Sequence, residues 1–311
     1  MIPRDVQHTI PSARELVINW HLTEACNYAC RYCYSKWHAG PVRKELFRNP
    51  AASAALLNEI FRQFAPTPQN HNRLGMKWNS LRLSLAGGEP LLYGQDIVRI
   101  AEQANGIGFK VSIISNGSRL TPTLMTELAP KLSVLGLSLD SANPETNLEI
   151  GRADRCSRIL LINELSATIQ HGRRVNPRLR LKINTVVNAL NFTEDMTPLI
   201  QQLSPDKWKI LRMLPVVATD LAIADFEFAQ FVDRHAALKH LISAEDNGDM
   251  IASYIMIDPL GRFFQNSMNG CNYRYSAPIL DIGAKASFRQ ISWHAEKFRA
   301  RYTDDNRIVS L

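Results

Sequence analysis

Apolar positions along this chain fall into two alternating rhythms. Residues 16–22 form an apolar-rich run of strand length, and residues 51–64 carry apolar side chains at helical spacing. The same pair of patterns then repeats. Strands are predicted at residues 81–85, 110–115, 134–140, 181–187 and 208–214, with helices after residue 90, from Thr121-Pro122, and over 158–170 and 194–203. Repeated strand–helix units with short links predict a parallel sheet with right-handed crossovers. Six units predict an α/β fold, a partial (β/α)6 barrel spanning residues 13–215 behind a tail of residues 1–12. Past Pro215 the rhythm changes to a helix over 226–241, a hairpin over 254–264 around Asp258-Pro259-Leu260-Gly261, and a helical tail. Residues 216–311 are therefore expected to be a C-terminal extension.

Strands covered on both faces should be nearly continuous apolar runs. Several here instead carry polar residues at a period of two: Asn19 and His21, Arg82 and Ser84, Lys182 and Asn184, Lys207 and Lys209. Residues at i and i+2 share a face. The outer face must pack under helices, so these groups are expected to point into the barrel. Four cations aimed at one cavity call for a multivalent anion, because buried charge must be paired. Carboxylates are the alternative partners, but within these strands only Asp140 is available. Lys207 alternatively precedes its strand and faces solvent, and a lone histidine such as His21 is more often a packed core residue than a catalyst.

A chain of 311 residues, 45% hydrophobic and 21% charged, can bury a sizeable core. It has no apolar run of membrane-spanning length and no signal-peptide pattern, since Asp5 and His8 interrupt the N-terminus. A cytoplasmic protein with reduced thiols is expected. The net charge of +7 permits nucleic acid and equally permits a small polyanion; the inward cations favour the latter. Five cysteines do not make a disulfide framework; Cys156 and Cys271 are isolated and take no role.

The other three, Cys26, Cys30 and Cys33, are spaced C-x3-C-x2-C directly after the first strand. Thiolates select soft metals and iron–sulfur clusters. Three of them on a four-iron cluster leave one iron open for an exogenous ligand. A zinc knuckle is the alternative, and it needs a fourth donor, for which His38 is nearest. In parallel barrels chemistry sits at the C-terminal strand ends. There the cysteines follow strand 1, Gly87-Gly88-Glu89 follows strand 2, and Ser115-Asn116-Gly117 follows strand 3. A glycine pair by itself is equally a tight turn. With Tyr32 before the third cysteine, the set resembles the radical S-adenosylmethionine (radical SAM) superfamily.

Further blocks resemble one family within it, the viperins. They include Asn19-Trp20-His21-Leu22-Thr23, residues 111–118, Leu139-Asp140-Ser141 with Ile150-Gly151-Arg152, residues 182–188, Asp206-Lys207-Trp208-Lys209, residues 254–263 and residues 279–283. The resemblance runs from about residue 16 to 283. It implies a radical SAM barrel and two cofactors, a four-iron–four-sulfur cluster on Cys26, Cys30 and Cys33, and SAM. Tyr32, Gly87, Gly88, Glu89, Asn116, Ser138 and Arg152 are the SAM-site residues it implies. Arg82, Lys182, Lys207 and Lys209 match the triphosphate cations, Asn19 and His21 the substrate-facing pair, and Leu260 and Arg262 the base side. The implied activity converts a nucleoside triphosphate, CTP first and UTP next, to its 3′-deoxy-3′,4′-didehydro analogue, an antiviral chain terminator. An electron donor of flavodoxin or ferredoxin type is the implied partner; a monomer that binds neither membrane nor nucleic acid is expected.

Two departures stand out. Ala86 replaces the serine that vertebrate viperins place before Gly-Gly, and Leu260 replaces their tyrosine against the base, while Arg262 is kept. Only 25 residues precede Cys26, so a soluble, prokaryotic relative without the vertebrate membrane helix is expected. Two other readings stay open: a different radical SAM enzyme, such as a peptide modifier, and a non-catalytic iron–sulfur or nucleic-acid-binding protein.

Overall fold

In the computed structural model, which describes residues 12–33, 44–215, 217–266 and 273–302, the strands run in chain order as follows. They are β1 (Ser12–His21), β2 (Lys77–Ala86), β3 (Lys110–Ser115), β4 (Val134–Ser138), β5 (Arg180–Val187), β6 (Lys207–Arg212), β7 (Ile242–Glu245), β8 (Ile255–Ile257), β9 (Arg262–Asn266) and β10 (Tyr273–Pro278). All ten join one sheet in the order β10-β9-β8-β1-β2-β3-β4-β5-β6-β7. β1 to β7 are parallel, β8 joins β1 in parallel on the other side, and β9 and β10 turn back antiparallel. The sheet therefore carries eight parallel strands, two more than the six predicted.

Helices α1 (Pro50–Phe64), α2 (Pro68–Leu74), α3 (Gly94–Ile107), α4 (Pro122–Leu128), α5 (Pro144–Ile150), α6 (Ile162–Val175), α7 (Thr197–Leu203) and α8 (Asp225–Arg234) supply the connections. Several begin by one device, a side-chain cap followed by proline. Asn49 caps α1, Thr67 α2, Thr121 α4 and Asn143 α5, each accepting from backbone N–H groups of the first turn. The chain ends in α9 (Ile279–Ile282), α10 (Ala284–Phe288) and α11 (Ala295–Tyr302). No helix among the described residues is long and apolar enough to cross a membrane.

The period-two alternation sorts the two sheet faces. Leu16, Ile18, Trp20, Leu81, Leu83, Leu85, Val111, Ile113, Leu135, Leu137, Leu181, Ile183, Trp208 and Ile210 are all buried in one apolar core under the helices. The ladder puts the polar positions together on the other face. Asn19 pairs with Ser84 and Ser84 with Ser112, while Lys182 pairs with Lys207, and Asn184 with both Ser138 and Lys209.

The predicted strand over 110–115 has the observed bounds, and strand 1 starts four residues earlier than predicted, which brings in Glu15. The helix predicted over 226–241 ends at Arg234. His235 stops it: its Nδ1 donates to Phe231 O at 2.7 Å, its Nε2 accepts from Met196 N–H at 2.9 Å, and its ring packs on Trp208. The chain then enters β7. The predicted helical tail likewise contains a strand, β10. Cys271 and His38 lie outside the described residues, and Cys156 is exposed.

Candidate active site

The cysteine segment leaves β1 at its C-terminal end and is stitched to its neighbours by backbone. Leu22 N–H donates to Ala86 O (2.8 Å), Gly88 N–H to Thr23 O (2.7 Å) and Glu89 N–H to Ala25 O (2.8 Å). This explains the glycine pair: a Cβ at Gly87 would lie 2.5 Å from Thr23 O, and one at Gly88 2.2 Å from Ala25 O. The Gly-Gly turn is thus shaped by the cysteine loop itself. The other side of the loop is stitched to the end of α5, where Ala29 N–H donates to Gly151 O and Arg31 N–H to Ile150 O. Gly151 has a φ of +85°, and a Cβ there would meet Ala29 O at 2.4 Å, so conformation and space both require glycine.

Glu89 is fully buried and joins the ends of β2 and β3. Its carboxylate accepts from Leu91 N–H (2.9 Å), Ser115 Oγ–H (2.8 Å) and Asn116 N–H (2.6 Å). Burial nonetheless holds its pKa above the ordinary carboxylate value. Asn116 Nδ2 reaches Asn27 Oδ1 at 3.1 Å and comes within 3.9 Å of Cys26 Sγ.

Opposite stands a knot centred on Asp140, which is fully buried at the end of β4. Arg152 Nη1 donates to Asp140 Oδ2 (3.1 Å) and to Tyr32 Oη (3.3 Å), lies 3.9 Å from Cys30 Sγ, and its Nη2 donates to Ser138 O. Tyr32 Oη–H donates to the same Asp140 oxygen, and Val186 N–H (2.9 Å) takes the other. Burial pushes the Cys30 thiol up to about 12 and raises that of Cys26. A cleft of about 160 Å³ opens beside these groups, lined by Tyr28, Asn116, Ser141, Asn147, Arg152 and Leu161 among others.

The inward cations share one face, as predicted, but carboxylates accompany them. Arg82 Nε pairs with Glu15 Oε2 at 2.8 Å and its Nη1 donates to Ser112 Oγ at 3.2 Å; Lys110 holds the other Glu15 oxygen. Lys209 pairs with Glu245 and donates to Tyr254 Oη at 3.0 Å. The expectation that Asp140 is the only internal carboxylate is corrected: Glu15 lies on the newly included start of β1 and Glu245 on the unpredicted β7, while Asp140 is committed to Arg152. Asn19 donates to Ile255 O at 3.4 Å. Burial lowers the pKa of His21 to about 4, so the ring is neutral at pH 7 and packs edge-on to Phe264.

Because β8 runs parallel to β1, its C-terminal turn stands beside the start of the cysteine segment. Leu260 is half-buried in that turn. Arg262 is clamped to Asp258 through Nε (2.7 Å) and Nη2 (2.6 Å) and lies over the Tyr275 ring at 4.3 Å.

Known proteins bear on this arrangement. A family model described as the radical SAM superfamily matches residues 20–167. The chain is 41% identical to an S-adenosylmethionine-dependent nucleotide dehydratase of Psychrobacter lutiphocae, covering 95% of this chain and 97% of that protein. A second protein of that description, from Pseudoalteromonas ulvae, is 38% identical with 94% of each chain covered. This chain belongs to the S-adenosylmethionine-dependent nucleotide dehydratases of the radical SAM superfamily. It is a radical SAM enzyme of dehydratase type, and the cofactors of its superfamily are a four-iron–four-sulfur cluster and SAM.

Solved structures show the same fold as this dehydratase. AdoMet-bound anSMEcpe superposes with a TM-score of 0.62 at 12% identity, covering 93% of this chain and 83% of that one. Streptococcus suis SuiB gives 0.55 at 14% identity, over 81% of this chain and 59% of that one.

The residues present fit the cofactors. Cys26, Cys30 and Cys33 are unbridged and partly accessible. Each thiolate of a cluster takes its own iron, so ligands need not converge on a point. Among the described residues no three His, Cys, Asp or Glu side chains are grouped to hold a single ion, and a zinc site finds no fourth donor there. Residues that sequence inspection missed are Glu15, Glu245, Tyr254, Arg301, which pairs with Glu245, and the partner role of Asp140. Glu15 had a signal, since it continues the period-two series of Asn19 and His21; Arg301 had none.

Proposed function

We propose that this enzyme removes the elements of water from a nucleoside triphosphate, CTP first and UTP next, giving the 3′-deoxy-3′,4′-didehydro nucleotide, a chain terminator in antiviral defence. The observation that supports it is the density of cations on the inward face of β5 and β6. Lys182 stands directly opposite Lys207, and Lys209 opposite Asn184. Three lysines brought onto one face of two neighbouring strands make a cationic surface, which a polyphosphate complements.

Cys26, Cys30 and Cys33 would hold the cluster, which together with bound SAM would supply the hydrogen-abstracting chemistry. The chain's own residues bind and orient. Arg152, fixed by Asp140 and Tyr32, presents a positive charge beside Cys30, and with Gly87, Gly88, Glu89, Asn116 and Ser138 it forms the SAM side. Lys182, Lys207 and Lys209 hold the phosphates; Arg82, already paired with Glu15, adds charge from the floor. Asn19 and neutral His21 face the ribose, and Leu260 and Arg262 stand at the base.

In the balanced reaction the C4′ hydrogen passes to 5′-deoxyadenosine, and the 3′-hydroxyl leaves as water. Two electrons and one proton are consumed, the electrons coming from a flavodoxin- or ferredoxin-type donor. Correct placement of C4′ is the protein's main contribution. Lys182→Ala is expected to weaken CTP binding by roughly 2–5 kcal/mol, the cost of removing one member of a buried charge pair, and CDP is expected to bind less well than CTP. Unchanged CTP affinity in Lys182→Ala would contradict the assignment.

A further inference from the structure

Arg301 carries the helix α11 into contact with the inward face. β7 and β8 flank the parallel run and are not paired with each other, and side chains bridge the space between them. Arg301, from α11, pairs with Glu245 at the end of β7 and donates through Nη1 to Ser253 Oγ (2.7 Å), just before β8. Its guanidinium carbon lies 3.3 Å from the centre of the Tyr254 ring. Tyr254 Oη–H in turn donates to Glu245 Oε2 at 3.2 Å, and Lys209 pairs with Glu245 Oε1. Lys209, Glu245 and Arg301 are each at most 8% exposed.

Two buried basic side chains therefore share one carboxylate, and burial, with the fields of Arg301 and Lys182, holds the Lys209 ammonium well below the ordinary lysine range. A phosphate approaching Lys209 must displace Glu245 or tolerate its negative charge nearby. Which of these happens depends on what else holds Glu245. We propose that Arg301 is a positioning residue for the nucleotide: by engaging Glu245 it releases Lys209 to an incoming phosphate, so that docking of α11 and binding of the triphosphate are coupled. The inference rests on Lys209 being a phosphate ligand, as proposed above.

Without Arg301, Glu245 has Lys209 as its remaining cation in this knot, and the phosphate meets a closed Lys209–Glu245 ion pair with no second cation beside it. Removing the carboxylate as well should undo the damage. Calorimetric titration of CTP into cluster-reconstituted, SAM-bound protein without reductant reads this directly. Arg301→Met is expected to raise Kd by about tenfold or more, because truncating one member of a buried charge network leaves Lys209 held by Glu245 and one cation fewer for the phosphate. The double variant Glu245→Gln/Arg301→Met is expected to bind as tightly as the wild type or more so, whereas loss of a merely structural prop would leave both variants weak.

Wild-type affinity in Arg301→Met, or no recovery in the double variant, overturns the proposal. If Arg301→Met does not fold, Glu245→Gln decides alone: it must bind CTP at least as tightly as the wild type, and weaker binding overturns the proposal. Lys209→Met separates the two levels. If it binds CTP like the wild type, the phosphate assignment fails and this inference with it. If it binds weakly while Arg301→Met is unaffected, only this inference fails.

Discussion

Replacing Gly88 by alanine tests how the cluster segment is held. The added methyl carbon would stand 2.2 Å from Ala25 O, 2.6 Å from Ala25 C and 2.8 Å from Glu24 O. All three are backbone atoms of the cysteine loop, so no rotamer change relieves the contact. The loop must retreat by about 1 Å to reach ordinary van der Waals distance. That retreat strains the hydrogen bonds from Gly88 N–H to Thr23 O and from Glu89 N–H to Ala25 O. Overpacking costs about 1–3 kcal/mol, and each of the two weakened hydrogen bonds up to about 1 kcal/mol, so a loss of about 1–5 kcal/mol is expected. Because Cys26 follows Ala25, cluster loading should fall with stability. Iron per chain after anaerobic reconstitution and the thermal midpoint are the readouts. Gly106→Ala is the control: it lies in α3 with nothing within 4 Å of its added carbon, and it should stabilise by about 0.5–1 kcal/mol. A Gly88→Ala protein with full iron and an unchanged midpoint would refute the steric account.

Three further outcomes are expected. Cys30→Ala should lose the cluster's visible absorbance and all SAM cleavage, and stoichiometric zinc in anaerobically prepared wild-type protein would contradict the cluster assignment. Asp140→Asn removes the carboxylate that pairs with buried Arg152 and should lower unfolding free energy by about 3–5 kcal/mol; a denaturant midpoint equal to wild type would count against it. His21 has a folded pKa of about 4 against an ordinary 6.5, so the unfolded chain binds the proton first as pH falls. Its contribution is whole above pH 6.5, is lost progressively down to about pH 4, and totals about 3 kcal/mol; His21→Leu should flatten that part of the stability–pH curve.

The sequence showed most of what local periodicity can show. Period-two polar residues in strands 1, 2, 5 and 6 announced an inward polar face, and the ladder pairs them there. Cys26, Gly87 and Asn116 were placed at strand ends, and the backbone stitches of Thr23 and Ala25 bring the first two turns together. What stayed hidden depends on contacts distant in sequence. Glu15 meets Arg82, Glu245 meets Lys209 and Arg301, and Asp140 meets Tyr32 and Arg152. No spacing rule announces such pairs. The helix predicted over 226–241 failed for the same reason, because His235 ends it by bonding to Met196, nearly forty residues earlier. β10 was obscured because its alternation, Tyr273-Arg274-Tyr275-Ser276, lasts only four residues before Ala277-Pro278 breaks it.

The most direct measurement of the central claim is a product assay. Anaerobically reconstituted enzyme is incubated with SAM, dithionite and each of CTP, UTP, GTP and ATP in turn, and 5′-deoxyadenosine and nucleotide product are quantified by mass. The account predicts 5′-deoxyadenosine with CTP, a matching amount of a nucleoside triphosphate one water lighter, and a smaller yield of the corresponding product from UTP. Formation of 5′-deoxyadenosine without any dehydrated nucleotide, or no stimulation of SAM cleavage by any of the four, would contradict it.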